Sequence, residues 1–462
     1  MEYLIGILLL ISFFWLAYYC FKGHNLMIGF LIMSFLWTAL PLIGNQISSP
    51  AFLEANGIAG IASWEALAAS LAKIFQSAPE GWGTILVNVL WGAWFGRVLM
   101  ETGIAATIIR KTVELGGDRP IITVSLLNFV TTVIFTSMTG AGPVIAIGVI
   151  VLPILMSLGI PKPLALFTFV GAVGAGSYMN PVYFAQYRAF HLAADQMPEF
   201  SFTWYVQKWG IYAIIIMLLV TTIGTAFYLK AKKPVHSWAA QTGQVEDTKQ
   251  VPGIALITPI LPVLGVIFLK IPVILGFVLC GFFALFVCGK LKHFKESCQL
   301  VNKMYYDGVV DTAPLIGFLL TLPMFNKAAE LCAPYFKAVV GPVMPKTTLV
   351  LCILFAILSP LGLFRGPMTL VGCGAATLGV VSNLGISAFT VPFLYACFAI
   401  PTITMNVGSC ITQSWVAWGL AYTKVEGKDL LRYTVPNGII VSILLYIVTF
   451  LVFGNGLVPI PA

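Results

Sequence analysis

Arg365 is the charged residue whose position in the sequence most requires a chemical explanation. It lies in the run Ser359 to Pro367, which joins two apolar segments and ends in Gly366-Pro367. A charge near the centre of a bilayer costs about 2.5 to 3.5 kcal/mol on insertion scales, so it normally has a partner or a task. A planar guanidinium can bind a carboxylate through two parallel hydrogen bonds. Arg365 is therefore a candidate anion contact; the alternative is an interfacial arginine whose side chain extends to water.

Asn180 and Asn406 are the next candidates, because each lies where a long apolar segment is interrupted. A carboxamide donates and accepts hydrogen bonds, so both could bind a polar substrate or a coupling cation. The alternative is that both side chains cap frayed helix ends. Small residues beside them complete the predicted substrate site, although each hydroxyl could equally bond its own helix backbone: Thr136, Ser137, Thr139, Gly140, Ser177, Gly366, Thr404 and Ser409.

Two acidic residues, Glu101 and Asp311, lie in or beside apolar segments. Asp311 begins a predicted span and is a candidate for relaying protons or binding the coupling ion; the alternative is an interfacial helix start. Arg97 lies four residues before Glu101, a spacing that favours an ion pair on one helix face.

Motifs for catalysis or metal binding are absent from the sequence. It contains no HExxH, Walker loop or GxSxG elbow, and its nine cysteines show no CxxC spacing. We therefore predict neither an enzyme nor a metal site, and no cofactor apart from Na⁺ in the role of a coupling ion.

The composition places these residues in a membrane protein. Of 462 residues, 59% are hydrophobic and 9% are charged, against roughly 25% charged in a soluble domain. Apolar runs of about 20 residues, long enough to cross a bilayer, recur along the chain. The first, Tyr3 to Cys20, has no basic segment before it and no cleavage signal after it, so we expect a retained span. The prediction is a multi-pass protein of a cell membrane, either inner or plasma membrane.

Two halves of the chain resemble each other. Leu158-Gly159-Ile160 and Met179-Asn180 recur as Leu384-Gly385-Ile386 and Met405-Asn406, 226 residues later in both cases. Ordered matches at one offset predict a duplication, the alternative being the shared composition of membrane segments. The polar stretch 230–252 is the expected cytoplasmic linker between repeats 1–229 and 253–462.

Each half divides into the same parts. We predict apolar spans, then a hairpin at 120–160 or 345–386, then a broken helix at 163–194 or 389–420. Each hairpin could be two full spans; as a re-entrant hairpin it enters and leaves on one side. The breaks free backbone groups that lipid cannot satisfy, so they should face protein, water or ligand.

The membrane topology follows from counting the spans. With re-entrant hairpins each half crosses five times, about ten crossings in all, and an odd number inverts the second half relative to the first. Most of the 25 Lys and Arg residues then fall on one side, which places both termini outside. The predicted fold is an all-α polytopic membrane protein with two inverted-topology repeats.

With its paired halves, a hairpin tip rich in small residues (Thr136 to Pro143) and a Gly-Asn-Pro break (Gly176 to Pro181), the sequence resembles the ion transporter superfamily, which includes gluconate, citrate and C4-dicarboxylate permeases. The resemblance implies a homodimer whose scaffold holds still while hairpins and broken helices carry substrate, the elevator mechanism. The Ser-Asn-Thr triplets of the dicarboxylate branch are missing, so the chain looks closer to the gluconate or citrate type.

Together these features predict a secondary active transporter that imports a small organic anion, a carboxylate, by symport with Na⁺ or H⁺. Its expected partners are the anion, the lipid bilayer and a second copy of the chain, with no nucleic acid. Alternatives are a cation/proton antiporter or oxyanion efflux carrier of the same superfamily, or a subunit that needs a soluble binding protein. The scarcity of acids in the breaks favours an anion.

Overall fold

The computed structural model describes residues 1–22, 24–58, 64–117, 119–191, 196–231, 251–382 and 384–456. Within these ranges the regular elements are all helices, and seven of them are long and apolar enough to cross a membrane. The predicted all-α polytopic membrane fold is therefore confirmed. Most of the predicted linker, 232–250, and the end of the first broken helix, 192–194, lie outside the described residues.

The first half contains thirteen α-helices in its described part. They are α1 Glu2–Phe21, α2 Leu26–Ile47, α3 Pro50–Ala55, α4 Trp64–Ala72, α5 Ala78–Gly81, α6 Gly83–Glu101, α7 Ile104–Gly116, α8 Pro120–Phe135, α9 Ala141–Ser157, α10 Lys162–Ser177, α11 Pro181–Arg188, α12 Phe202–Tyr205 and α13 Ile211–Ala231. Single π-helical stretches, Lys73–Ser77 and Val206–Gly210, join α4 to α5 and α12 to α13.

The second half contains eight α-helices in its described part. They are α14 Leu261–Phe268, α15 Val273–Val287, α16 Phe294–Val340, α17 Thr348–Leu358, α18 Gly374–Ser382, α19 Val391–Pro401, α20 Ser414–Thr423 and α21 Gly427–Thr449. Shorter 3₁₀ or π segments precede α14, follow α17, and extend α19 and α21: Gly253–Ile257, Ser359–Arg365, Thr402–Val407 and Phe450–Gly454.

Two of the predicted spans differ in the structure. The segment 253–269 is a 3₁₀ turn followed by the eight-residue α14, because Pro259 and Pro262 lack the N–H groups that a continuous helix would need. The predicted span 309–323 and surface helix 327–340 form one helix, the 47-residue α16. The prediction that the span ends at Pro323 is therefore wrong. Neighbouring helices allow a membrane helix to continue through a proline.

The predicted hairpins correspond to helix pairs. The first consists of α8 and α9 joined by Thr136–Gly140, and Gly140 has φ +95°, which only glycine adopts readily. The second consists of α17 and α18 joined by a longer turn, in which Phe364 and Arg365 have φ +54° and +56°.

The helices pack in two groups. In the first, which we call the α16 group, α1, α2 and α6 pack around α16, and α15 packs against α6. Its interior is aromatic, with Phe30 stacked on Phe325 at 4.9 Å between ring centroids. In the second, the α10 group, α8, α13, α19 and α21 pack around α10 and the breaks. Every residue of α10 from Leu164 to Ser177 is buried, so the first break begins at the centre of this group.

Candidate functional site

The two breaks of the α10 group contact each other. The Tyr178 hydroxyl, in the first break, lies 2.8 Å from the Thr404 hydroxyl, in the second, and these residues are themselves 226 positions apart. A Cβ placed on Gly174 would lie 3.1 Å from the Cα of Gly408. Glycine therefore allows the two interrupted backbones to approach closely, and the equivalent parts of the two halves meet at one place.

The Asn180 side chain, in the first break, forms hydrogen bonds with the tip of the first hairpin. Its Nδ2 donates to the carbonyls of Phe135 and Met138 at 3.1 Å, while its Oδ1 accepts from the Val182 N–H at 2.9 Å and caps α11. All the hydrogen-bonding capacity of this fully buried carboxamide is used within the protein. The capping interpretation therefore describes Asn180 in this conformation.

Asn406 ends a relay of hydrogen bonds that begins at Arg365. The Arg365 Nη2 donates to Gln413 Oε1 at 3.2 Å, and Gln413 Nε2 donates to Asn406 Oδ1. Because the guanidinium can only donate, it fixes the orientation of both carboxamides. Asn406 Nδ2 is left buried with no partner among the described residues.

The backbone at Arg365 holds its side chain at the turn of the second hairpin. A Cβ on Gly366 would overlap the Leu361 carbonyl, so glycine is required after Arg365. The guanidinium also donates through Nη1 to the Val371 carbonyl at 3.2 Å. The backbone conformation and two hydrogen bonds therefore order this long side chain before a ligand binds. The conformational entropy of fixing it is then not lost at the binding step.

A cavity of about 540 Å³, here called the Arg365 cavity, lies between the two groups of helices. Arg365, the first hairpin tip at Gly140 and Asp311 of α16 all line it, which brings three predicted site residues together. The α11 face bearing Gln186 lines it as well, and Gln186 Nε2 is buried with no partner among the described residues.

The serine and threonine residues of the predicted site differ in the hydrogen-bond partners of their hydroxyl groups. Four of them donate to carbonyls of their own segment, at 2.7 to 3.3 Å: Thr136, Ser137, Ser177 and Ser409. Thr404 pairs with Tyr178, as described above. Thr139 Oγ1 is buried without a partner among the described residues, and a Cβ on Gly92 of α6 would lie 3.2 Å from it.

Asp311 forms an ion pair with Arg97 that joins the two halves. Arg97 Nε and Nη2 lie 2.7 and 2.6 Å from the two carboxylate oxygens, in the bidentate geometry. The predicted pair of Arg97 with Glu101 is wrong, because α16 crosses α6 and brings in an acid 214 residues away. Glu101 instead lies 3.9 Å from Lys303.

The ion pair also touches the first hairpin. A Cβ on Gly142 would overlap the Asp311 carboxylate, so the start of α9 rests directly on the pair. The N-terminal end of a helix carries partial positive charge, which suits a carboxylate. Asp311 thereby connects the α16 group to the tip of the first hairpin.

Sequence reasoning missed Gln186 and Gln413. Both are uncharged polar residues within apolar surroundings, five residues after Pro181 and seven after Asn406. Such a glutamine near a break is a usable signal, since a buried carboxamide needs partners. Its partners, however, come from other elements and follow only from the fold.

No protein-family model and no curated protein matches this chain in sequence. Among solved structures, the chain is similar to the YdaH transporter of Alcanivorax borkumensis, described as having an unusual topology. The TM-score is 0.63 with 15% identical residues, and the match covers 94% of this chain and all of the other. At this identity the similarity establishes a shared fold over nearly the whole chain.

Proposed function

We propose that this protein is a secondary active transporter that binds a small organic anion in the Arg365 cavity. The observation that carries the proposal is the Arg365 guanidinium, held at the edge of this cavity by the relay through Gln413 and Asn406. The fold shared with a protein named as a transporter supports transport as the activity.

The charges of the cavity favour an anion over a cation. Arg365 and Asp311 are its charged lining residues, and Asp311 is already paired bidentately with Arg97. The guanidinium therefore provides the excess charge, and the Gln186 amide adds a donor without a partner among the described residues. A cation/proton antiporter would need an acid that can exchange its ion, and the pairing of Asp311 disfavours that alternative.

The packing supports an elevator-type movement. Asn180 joins the first hairpin to the first break, and the Phe364 N–H donates to Cys410 Sγ, which joins the second hairpin to the second break. In the proposal these parts move together with the anion, while the α16 group stays fixed and pairs with that of a second copy. Import is driven by Na⁺ or H⁺, and in the proposal the part of the cavity lined by Asn25 faces the cytoplasm, as the predicted charge bias favours.

Reconstitution of the purified protein in liposomes tests the proposal. Uptake of radiolabelled gluconate, citrate and succinate is measured with an inward Na⁺ gradient, an inward proton gradient or neither, against protein-free liposomes. We expect one gradient to drive accumulation of at least one carboxylate. Exchange of Na⁺ for H⁺ with no carboxylate uptake would instead identify an antiporter.

A further inference from the structure

A second cavity, of about 830 Å³, lies on the other side of α11. We call it the Arg188 cleft, and the residues that matter for the argument are Lys73, Trp82, Arg188, His191, Asn326 and Lys327. It is lined on one side by α11 residues up to Arg188 and on another by α16 residues around Lys327.

One short helix separates the cleft from the Arg365 cavity. On α11, Tyr183, Gln186 and Tyr187 line the Arg365 cavity, whereas Phe184 and Arg188 line the cleft. The α16 residues that line the cavity lie between Asp311 and Phe318, and those that line the cleft lie between Pro323 and Glu330, a displacement of about 12 residues or 18 Å along the helix. The two cavities therefore follow one another along α16, on either side of α11.

The charges that line the cleft are mainly positive. Lys73 is exposed, Arg188 is half-buried, and Lys327 lies 2.5 Å from Glu330. One acid among three cations leaves an excess of two positive charges. Arg188 is positioned by its own loop, because it donates to the carbonyls of Phe200 and Met197 at 3.1 and 3.0 Å.

Two buried polar atoms at the cleft have no partner among the described residues. They are Nε2 of His191 and Oδ1 of Asn326. Buried polar groups are normally hydrogen-bonded, so these two atoms point to a ligand or water in the cleft. The lining cations suit a carboxylate, and Asn326 Oδ1, which only accepts, suits a hydroxyl group on the same molecule.

We infer that the Arg188 cleft is a second binding site for the transported organic anion, occupied before the anion reaches the Arg365 cavity. Lys73, Lys327 and Arg188 attract the carboxylate, and His191 Nε2 and Asn326 Oδ1 hydrogen-bond hydroxyl groups on the rest of the molecule. A charged cleft raises the local concentration of its ligand and the association rate. The inference rests on the proposed function and adds a site on the opposite face of α11.

The local potential is tested without any transport measurement. Ser77 lines the cleft and is exposed, so Ser77→Cys is labelled in liposomes with an anionic or a cationic methanethiosulfonate, and the parent protein corrects for native cysteines. We expect faster labelling by the anionic reagent, and Lys73→Gln should reduce that preference about threefold at low salt. The preference should vanish near 1 M salt, where the Debye length is about 3 Å. An equal rate for both reagents at low salt would overturn the inference.

Transport kinetics then test the role of the cleft in binding. With a carboxylate that the wild type transports, Lys73→Gln and Lys327→Gln should each raise KM about threefold for substrate added on the cleft side, with kcat in that direction unchanged. Lys346→Gln removes an exposed lysine that does not line the cleft and is the matched control. The same KM change in the control, or no change in any variant, contradicts a cleft site while leaving the proposed function intact. Failure of the wild type to transport any carboxylate refutes the proposed function instead.

Discussion

At the scale of single residues, the proposed anion site depends on a guanidinium that is already oriented before substrate arrives. Arg365 is held by the Val371 carbonyl and by Gln413, and Gln413 is held by Asn406. Arg365 and Asn406 could be selected from the sequence because one is a charge and the other a repeated amide in apolar segments. Gln413 could not be joined to them, since its partners lie 48 and 7 residues away and meet only through the turn of the hairpin.

Substitution of Arg365 tests the anion contact directly. Arg365→Lys should weaken transport and Arg365→Ala should nearly abolish it, since losing a charge-assisted contact in a partly dehydrated site costs about 2 to 5 kcal/mol. Transport and the melting temperature of the purified protein are measured together. Arg432→Ala, at an exposed arginine, is the matched control. Normal transport by a folded Arg365→Ala protein would move the anion site away from this residue.

A change at Gln413 separates orientation from charge. Gln413→Glu keeps the shape of the side chain but places a carboxylate against the Arg365 guanidinium, so an internal ion pair competes with the substrate. Gln413→Leu removes the relay and leaves the charge of Arg365 in place. We expect the KM for the anion to rise by at least about tenfold in Gln413→Glu. In Gln413→Leu it should rise less, about fivefold, which corresponds to roughly 1 kcal/mol for the lost hydrogen bonds. Equal KM values for both variants would show that charge competition at Arg365 is unimportant.

At the scale of elements, glycine and proline positions predicted some helix ends correctly and others wrongly. The hairpin tip before Ala141 and the break before Pro181 correspond to real helix ends, because glycine supplies backbone freedom there and proline starts the next helix. Pro323 has the same local signature and yet lies inside α16. Whether a membrane helix stops at a proline depends on the packing of its neighbours, which the local sequence does not contain.

The contact between α9 and α16 predicts a specific steric coupling. Gly142→Ala places a methyl group against Asp311 and should lower the melting temperature, whereas Gly83→Ala, with nothing within 4 Å of the added Cβ, should change it little. In an Asp311→Ala background the cost of Gly142→Ala should fall, giving a coupling energy of about 0.5 to 3 kcal/mol in a double-mutant cycle. Additive effects on the free energy of unfolding would mean that the start of α9 does not rest on the Arg97–Asp311 pair.

At the scale of the whole molecule, the duplication explains why residues far apart in sequence meet. Tyr178 and Thr404, equivalent positions of the two halves, share a hydrogen bond at the centre of the α10 group. The repeat offset of 226 residues is visible in the sequence, and Tyr178 and Thr404 are separated by the same number of residues. The repeat offset does not predict the ion pair between Arg97 and Asp311, because these two residues are 214 positions apart and are not equivalent in the two halves.

The elevator proposal makes a prediction about how the two groups of helices must move. The first hairpin tip contacts α6 through Thr139, whose Oγ1 lies 3.2 Å from where a Cβ on Gly92 would be. That distance is close to the separation of about 3 Å between a Cβ and the far sulfur of a disulfide, so Gly92→Cys with Thr139→Cys should cross-link on oxidation. The bond would fasten the hairpin to the α16 group.

We expect the oxidised double variant to bind the anion but not to transport it, and reduction should restore transport. Binding is measured by ligand-induced stabilisation and transport in liposomes, and cross-linking is followed by a change in gel mobility. The two single-cysteine variants, treated with the same oxidant, control for each substitution and for native cysteines. In an elevator mechanism the first hairpin moves past α6 in every transport cycle. If the fully cross-linked protein transports as fast as the reduced protein, the first hairpin stays fixed against α6 and the elevator proposal is wrong.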